Sequence, residues 1–242
     1  MIKSSLIIGA TSPIAVALSR ELAQQGCQYF WLVARDQQEN GRLAQDLRHR
    51  FNVRVDCDTA DLRHRELPER SAQMLGQQDF DLYFLAAGYL GDTSHAAIDI
   101  GESLRIADVN YTGFLPWINA ITTPNRLDRP GQLMFMSSVA ADRGRPSNYF
   151  YGASKAALTT LGEGLFLRCL DKPFRVSIVK AGYLDTAMTF GQAPAMLCAS
   201  PQSIARSLVK RCNGRGIQYL PRFWQYIMFL IRLLPPSVVA RL

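Results

Sequence analysis

Ser138 is followed thirteen positions later by Tyr151, and Tyr151 four positions later by Lys155, in Tyr151-Gly152-Ala153-Ser154-Lys155. A step of four puts the phenol and the amine on one face of a helix. An ammonium beside a phenol favours the phenolate and lowers a pKa that starts near ~10. Such a phenol can protonate a developing alkoxide, or take the proton back in the reverse step. A serine hydroxyl at the end of a strand can hydrogen-bond the same oxygen and stabilise its charge. Each residue alone has an ordinary reading, Tyr151 as a helix-start aromatic and Lys155 as a solvated lysine. The three at this spacing are much rarer by chance.

Other chemistries find less support. Cys27, Cys57, Cys169, Cys198 and Cys212 are odd in number, widely spaced and never arranged as CxxC, so neither a disulfide framework nor a zinc site is suggested. His49, His64 and His95 are isolated and read as surface or core histidines, and no metal is expected. The net charge is +7, but Arg42, Arg48, Arg50, Arg63 and Arg65 are dispersed among acids, with no basic stripe interleaved with stacking aromatics. Nucleic acid is therefore not an expected partner. Some attraction for phosphate-bearing ligands or anionic lipid is.

The elements that must position these residues alternate along the chain. Ile2 to Ile8, Tyr29 to Ala34, Val53 to Cys57, Asp81 to Ala86, Leu133 to Ser137, Arg175 to Lys180 and, weakly, Gly216 to Leu220 read as strands. Helices fill most gaps: Pro13 to Gln25, closed by Gly26, Glu39 to Arg50, and a long one from Tyr149 to Leu170. Continuous apolar strands alternating with helices imply an α/β fold, a Rossmann-like, doubly wound, seven-stranded and mostly parallel sheet with helices on both faces. At 242 residues and 48% hydrophobic content, one domain over residues 1–220 is expected, followed by an apolar helical tail over residues 221–242. The first apolar run is too short for a signal peptide and no window approaches ~20 apolar residues, so a cytoplasmic location is expected.

Ligands of such sheets bind at the carboxyl ends of the strands. The first turn, Gly9-Ala10-Thr11-Ser12-Pro13-Ile14, ends a strand on a glycine, where a side chain would obstruct a diphosphate, and opens a helix. Ser12 suits the N-cap and Pro13 the first helical position. The N–H groups of that helix start would face a diphosphate, so Gly9, Thr11, Ser12 and Ile14 are candidate cofactor contacts. Taken alone this loop is a weak signal. After the second strand, Val33-Ala34-Arg35-Asp36 lacks the acid that usually holds ribose hydroxyls, and Arg35 could pair with a 2′-phosphate. NADP(H) is thus expected ahead of NAD(H), with Asp36, one residue away, as the competing feature. Asp61 would meet the adenine edge, and Ala87-Gly88 leaves room beside the ribose.

The segment Met136-Ser137-Ser138 through Lys155 closely resembles the short-chain dehydrogenase/reductase family in its single-domain branch, over about residues 2 to 190. The resemblance implies that Asn110, in Val109-Asn110, is a fourth catalytic residue, holding a helix open so that water links Lys155 to solvent. It gives Lys155 a second role on the nicotinamide ribose. In Lys180-Ala181-Gly182-Tyr183-Leu184-Asp185-Thr186 it implies carboxamide contacts from the backbone at Tyr183 or Leu184, with Gly182 and Thr186 beside them. Three positions depart from the family pattern: the glycine loop is reduced to Gly9, as in a GATSxIA subset; Leu85-Ala86-Ala87-Gly88 lacks the usual asparagine; and Ala181 replaces a proline.

Residues Asp185 to Ser200 are expected to cover the substrate, and Met188, Phe190, Pro194, Met196 and Leu197 make that cover apolar. The tail from Pro221 to Pro236 reads as a helix apolar almost all round, too short to span a bilayer. It could lie in a membrane interface with Trp224 and Tyr226 at headgroup level, or pack in a dimer interface or on its own domain. A homo-oligomer, dimer or tetramer, is expected. By resemblance, similar tails occur in reductases of lipid-linked sugars and long acyl chains. The expected function is interconversion of a small-molecule ketone and alcohol. An epimerase would need a larger substrate domain, and a dinucleotide sensor or scaffold would be expected to have lost Tyr151 or Lys155.

Overall fold

A computed structural model describes residues 1–186 and 194–241. Its elements are β1 (Ser4–Ile8), α1 (Pro13–Gln24), β2 (Tyr29–Ala34), α2 (Gln37–Phe51), β3 (Arg54–Thr59), α3 (Glu69–Gln77), β4 (Leu82–Leu85), α4 (Thr93–Ala96), α5 (Ile100–Asn110), α6 (Leu115–Ile121) and α7 (Pro124–Leu127). There follow β5 (Gly131–Ser138), α8 (Tyr149–Arg168), β6 (Phe174–Ala181), α9 (Pro201–Lys210), β7 (Gly216–Leu220), α10 (Phe223–Leu233) and α11 (Pro236–Val239). The seven strands form one sheet in the order β3-β2-β1-β4-β5-β6-β7, with every neighbouring pair parallel. The order reverses between β1 and β4, which opens a crevice at their carboxyl ends.

Side chains alternate between the two faces, and both faces are covered. Ile7, Phe30, Leu32, Phe84, Met134 and Val179 share one core with residues of α1, α2 and α9. Leu6, Ile8, Trp31, Val33, Tyr83, Leu85 and Phe135 share the other with α3, α6 and α8. That double burial is why β2 is buried at all six positions and reads as an unbroken apolar run.

Helix starts follow their caps. Ser12 accepts the Ala15 amide at 3.3 Å, with Pro13 first in α1. The chain leaves α1 through Gly26 at φ +90°, a conformation that favours glycine. Helix α2 begins at Gln37, two residues before the expected Glu39, because the Asp36 carboxylate accepts the Gln38 and Glu39 amides at 2.9 and 3.0 Å.

The tail is helical over Phe223–Leu233, but it is not free all round. Trp224 and Met228, one turn apart, are buried against Val139, with Tyr183, Leu197 and Tyr219 packed on them. The opposite side exposes Tyr226, Phe229, Leu230 and Leu233. Among the described residues no helix is long and apolar enough to cross a membrane. Of the expected apolar cover, Pro194, Met196 and Leu197 are described, and Met196 is exposed. Met188 and Phe190 lie outside the described residues.

Candidate active site

Two adjoining cavities of about 300 and 270 Å³ follow the carboxyl edge of the sheet and share Ser12, Ala87 and Gly88. Gly9, Thr11, Arg35 and Asp61 line the first. Ile14, Ser138, Tyr151, Lys155, Gly182, Leu184 and Thr186 line the second. One crevice thus collects every sequence-derived candidate except Asn110.

Gly9 sits at φ +81° and its amide donates to Val33 O at 2.9 Å. A Cβ there would come within 2.4 Å of the Ala87 backbone nitrogen. The glycine is therefore required by the neighbouring strand, before any ligand is considered. This steric demand adds to the expected one, obstruction of a diphosphate. Close β1–β4 approach is also kept by Ala86 N donating to Ile8 O at 2.8 Å, so the asparagine missing from Leu85–Gly88 leaves a backbone tie in place. At the start of α1 the Ile14 amide donates to no acceptor among the described residues.

Arg35 is exposed and in no ion pair among the described residues, whereas Asp36 is committed to capping α2. Asp61 is taken up by Arg63, whose Nη2 lies 2.6 Å from Oδ2, and this pairing holds the carboxyl down at about 2. Asp61, expected at the adenine edge, thus lines the cavity as one half of an ion pair. Arg105, missed in the sequence, lines the same cavity, with its guanidinium carbon 4.2 Å from the Tyr89 ring centroid and its Nε buried without a hydrogen-bond partner.

In the second cavity, β5 ends at Ser138, whose Oγ accepts the Ala140 amide at 3.1 Å and so caps the turn at Val139–Asp142. Helix α8 carries Tyr151 and Lys155 one turn apart, with Nζ 5.8 Å from the phenol ring centroid. Lys155 is 2% exposed. Its Nζ donates to Met136 O at 3.1 Å and to Ala87 O at 3.5 Å, which anchors α8 over the ends of β4 and β5.

Electrostatics here departs from the sequence expectation. Burial brings the Lys155 amine down from 10.5 to about 7, and pushes the Tyr151 phenol up, with a hydrogen bond from Ser138 offsetting part of the rise. The expected lowering of the phenol by an adjacent ammonium is reversed, because loss of water around each group dominates its shift.

Asn110 closes α5, fully buried, outside the cavity lining. Its Nδ2 donates to Ile106 O at 2.8 Å and to Tyr89 O at 2.6 Å, while Oδ1 accepts the Tyr89 amide at 3.1 Å. A Cβ on Gly88 would lie 3.5 Å from Oδ1 and 3.7 Å from Lys155 Nζ, so Asn110 sits behind the strand end, close to the lysine. Its visible work is to fix the backbone after β4.

The floor of the cavity is braced from behind. A Cβ on Gly182 would come within 1.9 Å of Trp224 Nε1, so α10 presses directly on the loop after β6. Lys180 and Asp142 form a buried ion pair, and Tyr219 Oη donates to Asp142 Oδ2 at 2.7 Å, tying the turn after Ser138 to β6 and β7. Sequence reading also missed Arg145 and Asn148, which line the wall beside Tyr151. The signal was there: both are polar and lie between Ser138 and Tyr151, whose side chains bound the cavity. Among the described residues no group of His, Cys, Asp or Glu could hold a metal ion.

A family model described as short chain dehydrogenase matches residues 3–196. The chain belongs to the short chain dehydrogenase family. It is 29% identical to an uncharacterized oxidoreductase of Streptomyces coelicolor, over 99% of this chain and 96% of the relative. An uncharacterized oxidoreductase of Mycobacterium tuberculosis is 30% identical over 65% of this chain, and the chain spans 64% of that relative's length. Among solved structures, a substituted form of actinorhodin polyketide ketoreductase with NADPH superposes with a TM-score of 0.75 at 19% identity, covering 90% of this chain and 95% of the other.

Proposed function

We propose that this chain is an NADP(H)-dependent oxidoreductase that interconverts a ketone and a secondary alcohol. The observation that carries the proposal is the convergence of Ser138, Tyr151 and Lys155 on one cavity that continues into an arginine-lined one.

The residues present fit a dinucleotide. The Ile14 amide without an acceptor and the dipole of α1 suit a diphosphate. Arg35 and the unpaired Nε of Arg105 suit a 2′-phosphate, and Asp36, the acid that could favour ribose hydroxyls, is occupied as a cap. The NADPH held by the actinorhodin ketoreductase is consistent with that preference. When bound, the nicotinamide supplies or accepts the hydride. Everything else falls to the chain. Ser138 donates a hydrogen bond to the substrate oxygen, and Tyr151, kept protonated by its burial, hands that oxygen a proton as negative charge develops. Lys155 holds the strand ends through Met136 O and Ala87 O, and its amine is the next proton source behind the phenol.

The test is consumption of NADPH against a panel of ketones, with Tyr151→Phe as control. Turnover that disappears in the variant is the expected result. Tight NADPH binding with no consumption by any ketone would favour a dinucleotide sensor instead.

A second reading concerns α10. Its outer side exposes Phe229 at 56% and Leu230 at 62%, flanked by Arg222 and Arg232, neither of them ion-paired among the described residues. Apolar residues between arginines suit an anionic lipid surface, with the inward Trp224 coupling that surface to the cavity floor. Co-sedimentation with phosphatidylglycerol vesicles is expected to drop at least about threefold in Phe229→Glu/Leu230→Glu. Unchanged sedimentation, or a native protein that dimerises through this face, would count against it.

A further inference from the structure

Arg145 and Asn148 sit between the Val139–Asp142 turn and α8, in the wall of the cavity that holds Ser138 and Tyr151. The Nε of Arg145 and the Oδ1 of Asn148 are both buried without a hydrogen-bond partner. Arg145 joins no ion pair among the described residues. Asp142, the nearest acid in the chain, is already bound to Lys180 and Tyr219. Asn148 precedes α8 but makes no side-chain cap, so its carbonyl oxygen is not spent on the helix.

These two atoms stand out against their surroundings. Leu90, Val139, Ala140 and Tyr183 give the remaining wall an apolar character. A guanidinium cannot shed its proton to escape burial, and a desolvated donor left unmade costs free energy. The same is true of an orphaned amide oxygen. Both costs are recovered if a ligand brings the missing partners.

We propose that Arg145 binds an anionic group of the substrate, a carboxylate or a phosphate, while Asn148 Oδ1 accepts a hydrogen bond from a substrate hydroxyl or amide. The planar fork of arginine matches either oxyanion in bidentate fashion. The substrate class is then an oxo acid or oxo phosphate with an apolar body, its ketone at Ser138 and Tyr151. This rests on the reductase reading of that site.

The experiment compares kcat/KM for oxo acids of graded spacing between ketone and acid, for their methyl esters, and for an oxoalkyl phosphate beside its neutral alcohol. In the native protein the best acid or phosphate is expected to exceed its neutral counterpart by at least about tenfold, as for a hydrogen bond to a charged group. In Arg145→Met and Arg145→Gln that ratio should collapse to about 1, with Arg145→Lys keeping part of it. The acid and phosphate arms tell which oxyanion is preferred. A native ratio near unity would overturn the proposal, as would a ratio that survives both neutral variants. So would an equal loss of NADPH affinity, since Arg145 would then serve the cofactor. If no ketone is consumed at all, the reductase reading fails on its own. The anion site is then tested by equilibrium titration of the same oxo acids onto the protein, where binding that is lost in Arg145→Gln supports it and equal binding refutes it.

Discussion

The two halves of the cleft handle charge in opposite ways. In the half lined by Arg35, charge is kept: Arg35 is exposed, and Asp61 is held ionised down to about 2 by Arg63. In the half lined by Tyr151, burial rules. It brings Lys155 down to about 7 and lifts the phenol beside it. Charges kept in solvent are individually weak and screened by salt, but they hold one protonation state and suit recognition of a charged ligand. A buried amine poised near 7 behind a phenol that stays protonated suits proton transfer. One crevice thus divides binding from chemistry by dielectric environment rather than by residue type.

The largest effect should come from the buried half. Tyr151→Phe removes the hydroxyl and leaves the ring and its packing, so kcat for ketone reduction should fall at least about a thousandfold. NADPH affinity, measured by fluorescence titration, should change little. A variant within tenfold of native would mean that the proton comes from elsewhere, and that the contrast between the halves is not functional.

Next is the stability cost of Lys155. Its folded pKa, about 7, lies below the ordinary 10.5, so between those values the unfolded chain binds the extra proton. Stability therefore rises with pH across that window, and below it the folded protein carries the whole penalty of a buried ammonium. Lys155→Met lacks this penalty. Its advantage in urea unfolding should be on the order of a few kcal/mol at pH 6 and shrink steadily toward pH 10. A pH-independent difference would mean that solvent reaches the amine.

How much of this the chain discloses in one dimension depends on how local each cause is. The strands Tyr29–Ala34 and Gly216–Leu220 have the bounds expected of them, because the first is an apolar run between polar Gln28 and Arg35 and the second lies between a glycine and Pro221. Ser138, Tyr151 and Lys155 are legible because a strand end and one helical turn bring them together. The start of α2 is misplaced because Asp36 was weighed only as a cofactor ligand, although an Asp before a helix is a cap signal in its own right. The direction of the Tyr151 shift could not be read at all, since it depends on burial created by distant elements. The same holds for Trp224 against Gly182, a contact across forty-two residues that composition reads only as an apolar tail. Arg145 is visible as a residue, but its lack of a partner is a property of the folded wall.

The exposed half offers the smaller and sharper test, because Arg35 and Asp36 are adjacent yet assigned different work. Arg35→Ser should raise the NADPH dissociation constant about ten- to a hundredfold, as expected for loss of a charge-assisted phosphate contact, and leave NADH binding nearly unchanged. Added salt should weaken NADPH binding to the native protein and do so less in the variant, since an exposed contact is screened. Asp36→Ala, by contrast, removes the acceptor of the Gln38 and Glu39 amides and should cost about 1 kcal/mol of unfolding free energy. Asp36→Asn keeps a capping oxygen and should restore most of that stability. Neither change at Asp36 should alter the NADPH-to-NADH ratio by more than about twofold, since its carboxylate is spent on backbone amides. If Asp36→Ala instead left stability intact and shifted that ratio, the acid would be facing the ribose, and the exposed half would be choosing its dinucleotide through both residues.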